Sequence, residues 1–332
     1  MSNAVPMVEV WRGRFLESIH RGHAVICDAA GQIVDAWGDP DQVILPRSSC
    51  KMIQALPLVE SGAADAMGLS EAHLAIACAS HQGAAVHSDL VTGWLDDLGL
   101  SDADLRCGPE FPRDLETNHA MIRAYGAPCQ YHNNCSGKHT GFLTLTKHLG
   151  AGPDYVDASH PVQMAVREAF ETVTGQASPG YGIDGCSAPN FATTMHGLAR
   201  AMALFAAADP DGASVRQRAA ARLTTAMAAY PELVAGEGRA CTEMMRAMGG
   251  RAAIKTGAEG VFVAILPDRE LGVAVKIEDG ATRASECAIA SILVRLGVLD
   301  PDSSAALKRR NAPLLNRNKI AAGMIRPAEG AF

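Results

Sequence analysis

The chain has 332 residues, of which 48 % are hydrophobic and 20 % are charged, and its formal net charge is −7. This composition is ordinary for a soluble globular protein, and because like charges form no block, nucleic acid and anionic membrane surfaces are disfavoured as main partners. No stretch has the length of a membrane span and the N-terminus lacks the apolar core of a signal peptide, so we expect a cytoplasmic protein.

Strand-like segments lie near both ends of the chain. They are residues 8–16, residues 23–34 with a turn at Ala30-Gly31, residues 260–266 and residues 272–277. The polar linker 267–270 separates the last two segments and predicts an antiparallel hairpin.

Helix-like apolar spacing dominates the middle of the chain. The predicted helices are residues 48–60, 88–98, 138–149, 161–174, 192–208, 215–230 and 281–296. Strands at both ends of a largely helical middle indicate an α+β fold whose antiparallel sheet joins the N- and C-terminal parts. The polar tail after Pro301 supports no prediction of its own.

Ser48 and Lys51 form a Ser-x-x-Lys pair at the start of the first predicted helix. Residues three apart share a helix face, so the Lys51 amine can reach the Ser48 hydroxyl. A serine becomes nucleophilic when a neighbouring base takes its proton, and a desolvated lysine can be that base. Lys255 begins a Lys-Thr-Gly motif, which accompanies Ser-x-x-Lys in penicillin-binding enzymes and class A β-lactamases. The alternative for Lys-Thr-Gly is an exposed strand that ends in a tight turn.

Ser80 follows the apolar run 74–77 and precedes a glycine at residue 83. A serine at the end of a buried segment is well placed to project into a cleft. The alternative is a hydroxyl that only caps a helix or stabilises a turn.

Cys135 and His139 lie four residues apart in a polar segment, and Cys186 stands two residues after Asp184. Zinc takes thiolate, imidazole or carboxylate ligands, so these residues could supply part of a metal site. No Cys-x-x-Cys or His-Glu-x-x-His motif supports them. A nucleophilic Cys135 assisted by a histidine, and a polar helix start capped by asparagine, are the alternatives.

The cysteine count is nine, which is odd, and no signal peptide precedes the cysteines. Free thiols are therefore expected rather than a disulfide framework. Four cysteines in apolar settings are expected to be small buried hydrophobic residues: Cys27, Cys50, Cys78 and Cys287.

Five motifs, in this chain order, resemble one family. They are Arg47-Ser48-Ser49-Cys50-Lys51, Ala79-Ser80-His81, Asn134-Cys135-Ser136-Gly137-Lys138-His139, Asp184-Gly185-Cys186-Ser187-Ala188-Pro189 and Lys255-Thr256-Gly257-Ala258-Glu259-Gly260. The likeness spans about residues 8–298 and is to the Rhizobium etli-type L-asparaginase II family, also called class 3 asparaginases. It implies a fold related to serine β-lactamases and glutaminases, a homodimer, and zinc near the active site.

The resemblance also implies catalytic roles. Ser48 corresponds to the nucleophile and Lys51 to its base, while Ser80 and Lys255 correspond to a second Ser–Lys pair. The implied reaction is hydrolysis of L-asparagine to L-aspartate and ammonia through an acyl-enzyme. The Ser-Asp-Asn motif of β-lactamases is missing, which disfavours a penicillin substrate.

One zinc ion per chain is implied, as an element that tunes substrate binding rather than one that supplies the nucleophile. Its implied ligands are Cys135, Lys138 and Cys186. A lysine must lose its proton before it binds metal, so the metal affinity should depend on pH. The residues implied to line the substrate pocket are Arg47, His139 and Asp184. As hypotheses, Asp184 would pair with the substrate ammonium and Arg47 with its carboxylate.

Other classes of function stay open beside this one. The chain could be another serine amidohydrolase of the same fold, such as a glutaminase or a β-lactam-binding enzyme. It could be a non-catalytic zinc- or ligand-binding protein, or a cysteine enzyme built on Cys135. Each of these explains one motif, whereas an asparaginase explains five. We therefore expect a single catalytic domain of asparaginase II type over residues 1–332, with a peripheral tail after about residue 300.

Overall fold

A computed structural model describes residues 3–332 of the chain. The backbone divides into two compact units. The sheet unit comprises the chain up to Ser49, Thr193–Ala207 and Glu243–Phe332, and the helical unit comprises Cys50–Ala192 and Ala208–Thr242. The single catalytic domain over residues 1–332 stays a prediction.

Twelve β-strands lie within residues 3–332. They are Val5–Arg12 (β1), Phe15–Cys27 (β2), Ile33–Trp37 (β3), Val43–Ile44 (β4), Tyr181–Ile183 (β5), Pro189–Phe191 (β6), Thr193–Thr194 (β7), Ala253–Thr256 (β8), Val261–Leu266 (β9), Leu271–Ile277 (β10), Ala312–Leu315 (β11) and Ala321–Pro327 (β12). The short strands β4 and β7 pair with each other, as do β5 and β6.

Thirteen α-helices occupy the same part of the chain. They are Lys51–Glu60 (α1), Ala63–Ala66 (α2), Glu71–Ala77 (α3), Ala85–Asp97 (α4), Leu115–Arg123 (α5), Ser136–His148 (α6), Pro161–Thr174 (α7), Met195–Ala206 (α8), Val215–Ala229 (α9), Pro231–Val234 (α10), Ala240–Ala247 (α11), Thr282–Arg295 (α12) and Ser304–Arg310 (α13). Short 3-10 helices add Arg47–Cys50, Asp102–Asp104, Gln130–His132 and Pro267–Arg269.

An eight-stranded antiparallel sheet forms the core of the sheet unit. Its strand order is β11-β12-β1-β2-β10-β9-β8, and β3 also pairs with β2. Strands from both ends of the chain are thus neighbours in one sheet, which confirms the predicted α+β class. Every residue of β9 is buried, so both faces of the sheet are covered there. The helices α8 and α12 pack against β9 and β10.

The two hairpins near the chain ends differ in how well they were predicted. The hairpin of β9 and β10 is confirmed, with Pro267–Arg269 as its connection. The predicted strand 8–16 is wrong at its end, because the chain turns after β1 and residues 15 and 16 begin β2. Arg12 pairs with Phe15, and Gly13 has φ +56° at the first position of the two-residue loop between them, as in a type II′ turn.

The tail beyond residue 300 extends the sheet. It contributes α13, β11 and β12, and β12 pairs with β1 in a register that sets Val8 opposite Pro327 and Trp11 opposite Met324. Only Ile325 of β12 is buried. Because a strand with so few buried residues shows little apolar patterning, the sequence pattern did not reveal it.

The helical unit is built around α1. Eight of its ten residues are buried, and α6, α7 and α9 pack against it. α7 matches the predicted bounds residue for residue, because Pro161 opens it and Gly175, with φ +72°, ends it in the left-handed region. The other predicted helices agree with the structure to within three residues at each end.

All four cysteines that were expected in apolar settings are buried: Cys27, Cys50, Cys78 and Cys287. Among the helices that the structure describes, none combines the length and the apolar composition needed to cross a membrane. The cytoplasmic location stays a prediction.

Candidate active site

Lys51 begins α1, directly after the 3-10 helix Arg47–Cys50 that contains the candidate nucleophile. Its side chain is fully buried. Its Nζ lies 3.0 Å from Ser80 Oγ and 3.1 Å from Cys135 Sγ, and it also donates to the carbonyl oxygen of Ala79. The buried amine nitrogen thus has three polar neighbours, which pair it away from water.

Ser80 lies in the turn that follows α3. Its backbone N–H donates to Val234 O at 2.9 Å, and the next N–H, that of His81, donates to Asn134 O at 3.2 Å. These bonds fix the turn while the Ser80 side chain stays half-buried. The resemblance implies two pairs, Ser48 with Lys51 and Ser80 with Lys255. The structure adds a contact between Ser80 and Lys51.

Cys135, Lys138 and Cys186 form a buried cluster, in which Lys138 Nζ lies 3.0 Å from Cys186 Sγ. The pKa of Cys186 lies well below its usual range, mainly because of a hydrogen bond with the Cys135 thiol. Burial acts to raise this pKa, and the charge of Lys138 lowers it further. The same hydrogen bond, together with burial, raises the pKa of Cys135. Burial acts to lower the pKa of Lys138, but the two neighbouring sulfurs outweigh it and the pKa is raised. Of the two sulfurs, Cys186 is thus the one whose ionised form is favoured, while Cys135 Sγ also lies 3.1 Å from Asn134 Oδ1.

Whether this cluster fits zinc can be judged from its donor atoms. No group of three or more His, Cys, Asp or Glu side chains within residues 3–332 is placed to hold a metal ion. The cluster offers two sulfurs and, through Lys138, one nitrogen, which are donor types that zinc accepts. Tetrahedral bonds of ordinary length place such a sulfur and nitrogen about 3.5 Å apart. The observed 3.0 Å is a hydrogen-bond distance about 0.5 Å shorter than this, so the donor types fit zinc, while the ligand set Cys135, Lys138 and Cys186 stays a prediction.

The turn before α6 is held by two asparagines. Asn133 Oδ1 accepts the N–H of Cys135 at 2.8 Å, and Asn134 Nδ2 donates to Glu110 Oε2 at 2.7 Å. Cys135 is the N-cap residue of α6 and its own side chain makes no cap bond, so at the helix start it is Asn133 that accepts a backbone N–H. Glu110 belongs to an irregular loop 24 residues earlier than Asn134, and no sequence pattern pointed to it.

His139 lies in the second turn of α6 and is fully buried. Its Nδ1 is 2.9 Å from the Tyr155 hydroxyl, and burial holds the pKa of its ring well below the usual range. Its Nε2 is buried and has no hydrogen-bond partner among the residues that the structure describes. Buried polar atoms in proteins are normally paired, so this nitrogen is a candidate to contact a ligand. Asp184, which is half-buried, adds a negative charge that acts on both Lys138 and His139.

In the sheet unit, Lys255 is fully buried in β8, and its Nζ donates to the carbonyl oxygen of the next residue at 2.8 Å. A Cβ added to Gly257 would lie 2.7 Å from Pro46 O and 3.1 Å from Ser49 N. The Lys-Thr-Gly strand therefore packs backbone to backbone against the segment that contains Ser48, and only glycine permits this approach.

Backbone strain occurs in three of the five motifs. Six non-glycine residues in the described chain have positive φ, and three of them are Arg47 at +53°, Ser187 at +70° and Glu259 at +58°. The left-handed region costs a non-glycine residue about 1–3 kcal/mol, and such strain concentrates at binding and catalytic sites.

The sequence model of the family described as L-asparaginase II matches residues 8–327. The chain belongs to the L-asparaginase II family. The resemblance noted over residues 8–298 is thereby confirmed, and the match extends to the end of β12. Membership makes this L-asparaginase II chain an amidohydrolase with a small-molecule amide substrate. No curated protein sequence matches it.

Several solved structures are distantly similar to this L-asparaginase II chain. A β-lactamase (Mb2281c) from Mycobacterium bovis has 14 % identity and a TM-score of 0.46 over 84 % of this chain and 95 % of its own. Mglu in its tris and glutamate form has 15 % identity and a TM-score of 0.48 over 86 % and 61 %. The octameric penicillin-binding protein homologue from Pyrococcus abyssi has 12 % identity and a TM-score of 0.44 over 90 % and 75 %.

The structure thus brings one set of predicted site residues together within the helical unit. These are Lys51, Ser80, Cys135, Lys138 and Cys186. Within the sheet unit it brings the Lys255 strand against the Ser48 segment. The catalytic, substrate-binding and metal-binding roles of these residues stay predictions. Glu110 and Tyr155 support the site and were missed, because nothing in their local sequence distinguishes them.

Proposed function

We propose that this chain is an L-asparaginase that hydrolyses L-asparagine to L-aspartate and ammonia through an acyl-enzyme on Ser48. The observation that carries the proposal is the L-asparaginase II family match over residues 8–327, which includes all five motifs. The buried Lys51 amine lies 3.0 Å from the Ser80 hydroxyl, which shows that this lysine contacts one of the two candidate serines; its pairing with Ser48 rests on the Ser-x-x-Lys spacing and the family resemblance.

In the proposed acylation step, Ser48 Oγ attacks the side-chain amide carbon of asparagine while its proton passes to Lys51, which has to be a neutral amine at this point. The C–N bond then breaks, and the leaving nitrogen takes a proton and departs as ammonia. Water hydrolyses the β-aspartyl ester, which releases aspartate and restores the serine hydroxyl. Ser80 lies 3.0 Å from Lys51 Nζ, a distance that supports proton exchange between the two groups. The resemblance assigns Lys255 as the partner of Ser80.

The proposed substrate contacts follow the charges of asparagine itself. Asp184 would receive the α-ammonium group, and Arg47 would pair with the α-carboxylate. His139 would offer its buried Nε2 as a neutral hydrogen-bonding group, because burial keeps the ring uncharged. The strained backbone at Arg47 supports a binding role for that residue.

Cys135, Lys138 and Cys186 would hold one zinc ion, and the bound ion would supply positive charge that tunes substrate affinity. Lys138 has to lose a proton before its nitrogen can bind metal. Its raised pKa makes this loss harder, so zinc affinity should increase with pH. The 3.1 Å contact between Cys135 Sγ and Lys51 Nζ joins this cluster to the proposed base.

A cysteine enzyme built on Cys135 is the less favoured alternative. The thiolate is the reactive form of cysteine, and the hydrogen bond to Cys186 together with burial raises the pKa of Cys135. A thiol held protonated and 4 % exposed is a poor nucleophile.

The test is ammonia release from L-asparagine and L-glutamine, with nitrocefin as a third substrate, by wild type and Ser48→Ala. Ser303→Ala, which removes only the cap hydroxyl of α13, is the matched control for a serine-to-alanine change. Asparagine turnover that is lost in Ser48→Ala and kept in Ser303→Ala supports the proposal. Activity that survives in Ser48→Ala overturns the nucleophile, and turnover of glutamine or nitrocefin without asparagine overturns the substrate.

We also propose a homodimer, which the family resemblance supports. Light scattering of the purified chain should give twice the mass of one chain, 34.8 kDa. A single-chain mass at micromolar concentration would contradict it.

A further inference from the structure

His81 directly follows Ser80 and is buried. Its ring Nε2 lies 3.0 Å from the hydroxyl of Ser136, which is the first residue of α6 and the neighbour of Cys135. Its backbone N–H donates to Asn134 O at 3.2 Å. One residue therefore joins the Ser80 turn to the Cys135 turn, through both its main chain and its side chain.

The hydrogen bonds of the His81 ring define a single neutral tautomer. The N–H of Gly83 donates to Nδ1 at 3.1 Å, so Nδ1 is the acceptor and Nε2 carries the proton. Nε2–H then donates to Ser136 Oγ, whose own hydroxyl donates to Tyr131 O at 2.9 Å. Both ring nitrogens are paired, and the direction of each bond is determined.

The ring is also held by packing. It stacks on His87, with ring centroids 4.8 Å apart and an interplanar angle of 10°. Burial lowers the pKa of His87, whose Nε2 is 2.9 Å from Glu232 O, so two neutral rings stack without charge repulsion. Gly83 turns the chain with φ +71°, where an added Cβ would lie 2.9 Å from His132 O. Stacking, hydrogen bonds and this turn leave the imidazole one orientation.

We propose that His81 is a positioning residue, which keeps Ser80 and Cys135 at the distances at which both contact Lys51. This inference rests on the proposed function, in which Lys51 and Ser80 take part. Lys51 Nζ is 3.0 Å from Ser80 Oγ and 3.1 Å from Cys135 Sγ, so the two turns meet at one amine. A change in their spacing alters the Lys51–Ser80 hydrogen bond, and His81 acts on the reaction through it.

The test separates the two ring bonds. In His81→Asn, the side-chain oxygen can still accept from Gly83, but the donor to Ser136 is lost. In His81→Gln, the longer amide places an N–H donor near the position of Nε2. We expect His81→Asn to lower kcat for asparagine about 10- to 100-fold with KM changed less than about twofold, because displacements of about 1 Å have rate effects of this size. His81→Gln should recover most of kcat.

A double-mutant cycle tests the proposed partner directly. Ser136→Ala should lower kcat to a similar extent, and the combined His81→Asn/Ser136→Ala variant should lose little more than either single variant. Fully additive losses would overturn the coupling. Should His81→Asn fail to fold, Ser136→Ala tests the same bond from the other side with His81 intact.

His73→Asn is the matched control. His73 stands at the other end of α3, where its Nδ1 accepts the N–H of Ser70 at 3.2 Å. It should lower the thermal unfolding midpoint, because a helix-start hydrogen bond is lost, while leaving kcat unchanged. A wild-type kcat in His81→Asn, an equal loss of kcat in His73→Asn, or no recovery in His81→Gln would each overturn the proposal.

A crystal structure of His81→Asn keeps this inference distinct from the proposed function. If the wild type releases no ammonia from asparagine, the proposed function fails, and the structure of the variant still decides the role of His81. A separation of Lys51 Nζ and Ser80 Oγ beyond hydrogen-bond distance supports positioning. A separation unchanged from 3.0 Å overturns it.

Discussion

Gly257→Ala perturbs the contact between the Lys-Thr-Gly strand and the segment that carries Ser48. The new Cβ would lie 2.7 Å from Pro46 O and 3.1 Å from Ser49 N, and both are backbone atoms that cannot rotate away. Pro46 O also accepts the backbone N–H of Ser49 at 3.2 Å and its hydroxyl at 2.7 Å. The clash therefore falls on a hydrogen-bonded turn rather than on a flexible side chain.

The size of the effect follows from these distances. Ordinary contacts begin at 3.4 Å, so Pro46 O has to move by about 0.7 Å from its 2.7 Å position. Overpacking of this kind lowers the free energy of unfolding by about 1–3 kcal/mol. Ser48 lies within the displaced segment, and a displacement approaching 1 Å lowers rates by up to about 10²-fold. We expect kcat for asparagine to fall about 10- to 100-fold.

The assay is ammonia release from asparagine together with thermal unfolding of the same samples. Gly93→Ala is the matched control, because Gly93 is exposed within α4 and an added Cβ meets nothing within 4 Å. Alanine favours a helix interior over glycine by about 0.5–1 kcal/mol, so this variant should be slightly more stable and fully active. A Gly257→Ala protein with wild-type kcat and a wild-type unfolding midpoint would show that the segment carrying Ser48 tolerates the added Cβ without displacement.

Three further predictions concern other parts of the structure. Elemental analysis should show that Cys186→Ser loses bound zinc. Cys287→Ser, which changes a buried cysteine of α12, should keep it. Zinc that is retained in Cys186→Ser would contradict the assignment of Cys186 as a ligand. Burial acts to raise the pKa of Glu110, but hydrogen bonds from Asn134 and the charge of Arg113 outweigh it and lower the pKa. The Glu110 carboxylate therefore stabilises the fold above its ordinary pKa, and this stabilisation is lost as pH falls through the lowered value. In urea unfolding at pH 7, Glu110→Gln should lower the free energy of unfolding by about 1 kcal/mol, and this difference from wild type should shrink toward pH 3. A difference that does not change with pH would count against this role of the carboxylate. Arg216 pairs with Glu60 at 2.6 and 3.0 Å and with the exposed Glu168 at 3.0 Å. Arg216→Ala should therefore lower the free energy of unfolding by about 1–2 kcal/mol, and Glu168→Ala should lower it by less than about 1 kcal/mol. Equal losses in these two variants would show that the half-buried Glu60 pair adds nothing.

Elements with strong local patterns were predicted well. α7 has Pro161 at its start, Gly175 after its end, and apolar residues at helical spacing between them. The hairpin of β9 and β10 has two apolar strands around a short polar linker. In both cases the information that specifies the element lies within the element itself, so reading the sequence was sufficient.

Elements with weak patterns, or with partners far along the chain, were predicted poorly or not at all. β12 buries one residue and pairs with β1, more than 300 positions earlier, as the register of Val8 with Pro327 shows. Glu110 supports the Cys135 turn only because an irregular loop passes close to Asn134. Neither could be read from local periodicity.

Five short motifs in order identified the family without a structure, and apolar periodicity predicted the α+β class and most of the helices. Motifs and periodicity depend only on residue type and spacing over a few turns, and both are visible in the sequence. The contacts of Lys51 with Ser80, of Lys138 with Cys186 and of Gly257 with Pro46 became known only from the folded chain. Each of these contacts joins residues that are far apart in sequence. The contact distance depends on how whole helices and strands pack, and local sequence patterns contain no information about that packing.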